Sequence, residues 1–140
     1  MVGGVYLDDQ LNFLIDVPAE WEAKPGPKEG NLRVSMMDVH TGVTIEVWAF
    51  GGIAMEPRVR GECAWKFQDA GAYRTLLHSD PLVVATCVPH HPSDARVFAY
   101  LMIRDGWTWQ LEIHIPSAAT MDNLPRGEAV LSTARWGVSD

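Results

Sequence analysis

The chain has 140 residues, is 47% hydrophobic and 21% charged, and carries a formal charge of −7 at pH 7. These values describe one globular domain, 1–140, long enough to bury roughly 70% of its unfolded surface without a metal or a disulfide. Eleven of the 18 acids stand in residues 1–70 and no run of Lys or Arg occurs, so the basic footprint needed for DNA, RNA or an anionic membrane is excluded.

In chain order, Asn12 to Val17 is a short strand that Pro18 should stop. The Pro/Gly-rich stretch Lys24 to Gly30 reads as a surface loop. Leu32 to Val39 and Val43 to Phe50 form a hairpin around His40-Thr41-Gly42. In its second strand Val43, Ile45, Val47 and Ala49 share one face, and Thr44, Glu46, Trp48 and Phe50 the other. Gly51-Gly52 reads as a flexible connection without the lysine of a phosphate loop. A first helix is expected over Pro57 to Ala70, because Pro57 suits a first turn, Gly71 an exit, and Val59, Cys63, Phe67 and Ala70 one apolar stripe. Tyr73 to His78 and Leu82 to Val88 are further strands around Ser79-Asp80-Pro81.

The clearest element is the last hairpin. Ala95 to Arg104 is apolar on both faces, as a central strand is, and Asp105-Gly106 is a two-residue turn needing positive φ at both positions. From Trp107 to Ile115 the strand alternates, with Trp107, Trp109, Leu111, Ile113 and Ile115 on one face and Thr108, Gln110, Glu112 and His114 on the other. A second helix is expected from about Pro125 to Arg135, packing Leu124, Val130, Leu131 and Ala134 on the sheet. Hairpins with helices that do not alternate with strands indicate an α+β fold.

No arrangement of catalytic residues emerges. Cys63 and Cys87 are not a CxxC pair and read as two buried thiols, Cys63 on the apolar stripe of the first helix. His40, His78, the His90-His91 pair and His114 lack the spacing of a helical metal motif, so neither a metal nor a cofactor is expected. His78, Ser79 and Asp80 are consecutive and cannot converge as a triad on an extended chain. Asp8-Asp9 reads as a solvated turn. No stretch approaches the roughly 20 apolar residues of a membrane span. No basic segment followed by an apolar run opens the chain, so a soluble, cytoplasmic protein is expected.

Six tryptophans are many for this length. Trp107 and Trp109 belong to an unbroken apolar face and are assigned to the core. Trp48, Phe50 and Trp65 stand on mixed faces, and with Glu46 and Glu62 nearby they are the expected surface for a protein partner.

The segment Phe13-Leu14-Ile15-Asp16-Val17-Pro18-Ala19-Glu20-Trp21 resembles the Phe, strand, Pro-x-x-Trp opening of the PsbP-like superfamily. That superfamily includes the Ran-binding Mog proteins, LpqN-type lipoproteins and Eag-type secretion chaperones. The later order is similar too: a hairpin, a helix, strands, an Asp-Gly hairpin, Pro116 and a last helix containing Val130-Leu131-Ser132-Thr133. The resemblance spans nearly the whole chain and implies a central antiparallel sheet with helices packed on its two sides. It implies no shared enzyme activity and transfers no functional residue, because the matched positions are core and turn residues. The function expected is a non-catalytic binding, assembly or accessory module. Its special forms are a chaperone for a secreted, type VI-like effector and a homodimer. A carrier for a small apolar ligand and an enzyme without a recognised motif are the other readings.

Overall fold

The computed structural model describes residues 2–52, 56, 57, 64–69, 77, 82–89, 91 and 94–137. Eight strands lie side by side: β1 (Val2–Asp8), β2 (Phe13–Pro25), β3 (Leu32–Asp38), β4 (Thr44–Gly51), β5 (Ala64–Gln68), β6 (Leu82–Val88), β7 (Arg96–Arg104) and β8 (Trp107–Ile115). Their order across the sheet is β1-β2-β3-β4-β8-β7-β6-β5, every neighbour antiparallel, and a ninth strand, β9 (Arg135–Trp136), pairs with the start of β2. Two meanders, β1 to β4 and β5 to β8, thus meet where β4 pairs with β8.

Period-two alternation decides which side chains meet. On the inner face Phe13, Ile15, Val34, Ile45, Val47, Trp109, Leu111, Ile113 and Tyr100 form one buried cluster. One helix, α1 (Asn123–Leu131), covers that face with Val130 and Leu131, and Leu124 and Ala134 pack beside it. The approach is close: a Cβ on Gly127 would stand 2.9 Å from Ile113 Cγ2. Tyr100 Oη donates to Glu128 Oε2 at 2.6 Å and ties the helix to β7.

Several expectations are corrected. The described residues form a largely β protein with a single short helix on one face of the sheet, in place of an α+β sheet with helices on its two sides. The first helix fails over Ala64 to Gln68, which is β5 paired with β6. Phe67, meant for a buried stripe, is 62% exposed. Trp65 and Phe67 alternate with Lys66 and Gln68, and aromatic residues at period two suit a strand once a partner strand is present. The strand opened by Phe13 does not stop at Pro18 but runs to Pro25. The pairing with β1 shifts register between Gly4–Val17 and Val2–Glu22, and Glu20 takes φ +71°. This bulge absorbs the proline outside the hydrogen-bond ladder. The second helix ends at Leu131, and Arg135 enters β9 instead.

The Gly51-Gly52 segment is not a free connection: Gly52 donates to Gly106 O at 3.1 Å and its carbonyl accepts from Thr108 Oγ1 at 2.8 Å. Asp8 is no solvated turn residue: it is buried, pairs with Arg33 Nε at 2.5 Å and accepts from the amides of Gln10 and Leu11. Cys87 is disulfide-bonded rather than a free thiol, and the chain's one other cysteine is Cys63, which lies outside the described residues. Of the expected strand Tyr73 to His78 only Leu77 is described; its backbone is helical instead of extended, and its side chain is buried in the core.

Candidate functional site

The outer face of the sheet carries the polar half of β8. Direct cross-strand pairing sets Phe50 beside Thr108, Trp48 beside Gln110, Glu46 beside Glu112 and Thr44 beside His114. Thr108, Gln110 and Glu112 are closed to solvent although their positions alternate as a solvated face would. Gln110 Nε2 donates to Glu112 Oε2 at 2.5 Å, and Trp48 Nε1 donates to Glu46 Oε1 at 3.1 Å. His114 Nε2 lies 2.8 Å from Glu112 Oε1 and 3.5 Å from Glu46 Oε1, between two carboxylates that would otherwise face each other. No Ser, Thr or Cys side chain hydrogen-bonds to His114, so the described residues show no nucleophile held by this imidazole.

Of the residues expected to meet a partner, Glu46, Trp48, Phe50 and Trp65 share this face. Trp48 and Phe50 stack with ring centroids 6.2 Å apart and planes 4° apart, with Glu46 next on the same strand. Trp65, on β5 opposite Cys87 of β6, stands at the sheet edge, with three strands between β5 and β4. Phe50 is buried, while Trp48 and Trp65 are partly exposed. Glu62 lies outside the described residues. Sequence reasoning placed His114 beside Glu112 but did not join either to Glu46. The signal was the period-two run Thr108, Gln110, Glu112, His114 on a strand flanked by two apolar strands, where polar side chains must find partners within the sheet.

A second feature lies at the end of the β7–β8 hairpin. Phe13, Trp109 and Trp136 form an aromatic group with centroids 4.9 to 5.2 Å apart, and the Arg104 guanidinium lies 5.2 Å over the Trp136 ring. Trp109 is core as expected, whereas Trp107 is only partly buried. Two adjoining open concavities of about 230 and 450 Å³ share Arg104, Asp105 and Trp136 as lining. Trp136 Nε1 is buried and makes no hydrogen bond.

No protein-family model and no curated protein sequence matches the chain. Solved structures do. The solution structure of cyanobacterial PsbP (CyanoP) from Synechocystis sp. PCC 6803 superposes with a TM-score of 0.56 at 10% identity, covering 98% of this chain and 94% of that one. A crystal structure from Bacteroides thetaiotaomicron VPI-5482 superposes with a TM-score of 0.58 at 10% identity, and this chain spans 49% of its length. At such identity the likeness is one of architecture, that of a PsbP-like fold.

Proposed function

We propose that the chain is a non-catalytic accessory module that acts by binding a protein partner through the outer face of its sheet. The observation that carries the reading is the uneven cover of that face. At its β1–β3 end Val5, Leu7 and Met37 are 44%, 52% and 41% exposed. They stand among Asp16, Glu22 and Lys24, while Thr108, Gln110 and Glu112 of the same face are closed. Trp48 and Glu46 mark the border between the open and closed parts. Aromatic residues at such a border suit an anchor in a partner's pocket. The PsbP-like fold supports the reading by analogy of architecture alone. The described helix is too short and polar to cross a membrane.

The disulfide at Cys87 supports an oxidising compartment as the place of action, in place of the cytoplasm expected from the sequence. The binding reading is tested by capturing partners with tagged protein, identifying them by mass spectrometry, and titrating the partner with Trp48→Ala and Trp65→Ala. A loss of at least about tenfold for a folded Trp48→Ala variant is expected. Unchanged affinity for both variants would remove this face as the interface.

A further inference from the structure

Glu46, Glu112 and His114 converge, and nothing in the binding reading requires them to. Their donor atoms all lie within 4.8 Å of one another. We propose that they form a binding site for one divalent first-row transition metal ion, of which zinc is the representative.

The sheet places all three donors. Glu112 and His114 are two residues apart on β8, so both project from the outer face, and Glu46 is the direct cross-strand partner of Glu112 on β4. Donors held by paired strands need little reorganisation to bind an ion. One imidazole with two carboxylates is a ligand set that first-row ions accept, and the imidazole disfavours magnesium or calcium. Tetrahedral donors at about 2.0–2.2 Å from zinc stand roughly 3.3 Å apart. The separation of His114 Nε2 from Glu46 Oε1 is already 3.5 Å, and that from Glu112 Oε1, 2.8 Å, has to open slightly.

The surroundings are those of a built site. Glu112 is fully buried, and among the described residues its carboxylate meets one neutral amide, Gln110, and one imidazole, His114. A cation bound between two facing carboxylates offsets their mutual repulsion and the cost of burying Glu112. Gln110 holds Glu112 Oε2 and leaves Oε1 turned to the site, while Trp48 fixes Glu46 Oε1. Such outer hydrogen bonds orient metal ligands. The side chains of His114 and Glu46 keep 13% and 17% exposure, enough for an ion to enter and for solvent to supply a fourth ligand.

The test uses chelator-treated full chain carrying no His tag. Titration with zinc chloride by calorimetry should show one equivalent bound, with a rise in melting temperature, and cobalt should give visible bands of imidazole–carboxylate ligation. His114→Gln and Glu46→Gln should each weaken binding about 10- to 100-fold. A His90→Ala/His91→Ala double variant should leave it unchanged. Circular dichroism checks folding, and Glu46→Gln, at a partly exposed position, carries the test if His114→Gln does not fold. Absence of binding at micromolar zinc overturns the proposal. So does binding that survives Glu46→Gln and His114→Gln, or that disappears in the double variant.

Discussion

Asp38 ends β3 with a carboxylate that accepts from the His40 amide at 3.0 Å and from the Thr41 hydroxyl at 3.0 Å. Burial raises its pKa, but those two bonds, with the charges of Arg126 and His40, pull it further the other way, and the carboxyl titrates below its ordinary range. A depressed native pKa contributes stability that is fully present above the unfolded value of about 3.9 and is lost as pH falls through the native value. Asp38→Asn should therefore lower stability at neutral pH and lose less than the parent on acidification to about pH 3. Urea melts at the two pH values check this, and identical acid sensitivity of both proteins would count against it. The turn at His40-Thr41-Gly42 was legible in the sequence. The aspartate that closes it was also within reach, since Asp side chains commonly bond to amides two residues on. Asp8 was not legible in the same way, because its partner Arg33 is 25 residues away.

Among elements, the β7–β8 hairpin was read correctly and β5 was not. Asp105 and Gly106 adopt φ +52° and +80°, the left-handed region that a tight hairpin turn demands. Gly106→Val forces a β-branched side chain into that region. It should cost about 1–3 kcal/mol, read as a lower urea midpoint with unchanged slope. An unchanged midpoint would show that the turn carries no such constraint. Nothing crowds the position, since no atom lies within 4 Å of a Cβ placed there, so the cost is conformational rather than steric. The hairpin announces itself because turn chemistry and alternation act over neighbouring residues. β5 does not, because Ala64 to Gln68 satisfies a helical stripe and a two-residue period at once, and only pairing with β6 selects the strand.

At the scale of the whole molecule, the sheet has two edges, β1 and β5, and they are held differently. β1 is tied to β2, and Arg33 joins Asp8 to β3. β5 contributes five mostly exposed residues and contacts the sheet through β6 alone, the strand that holds disulfide-bonded Cys87. The disulfide at Cys87 is worth about 2–4 kcal/mol. Reductant, or Cys87→Ala, should lower the melting temperature accordingly and free a thiol in the unfolded protein. An unchanged melting temperature, or two free thiols before reduction, would rule it out. The same tertiary order explains the outer face. Trp48, Glu46 and Trp65 share it. Trp65 is separated from the others by three strands, a spacing no local reading supplies.

Local periodicity determined β3, β4, β6, β7 and β8, the inward faces of Ile45 and Ile113, and the resemblance to the PsbP-like fold, because each rests on residues close in sequence. The meeting of β4 with β8 was decided only by the tertiary structure, since its partners are 56 to 70 residues apart: Glu46 comes to stand against Glu112 and His114 there. The same holds for the cover of the outer face. Whether a polar strand face is solvated or sealed depends on what packs over it, and burial at Gln110 and Glu112 turns a pattern that reads as surface into a clustered, buried site.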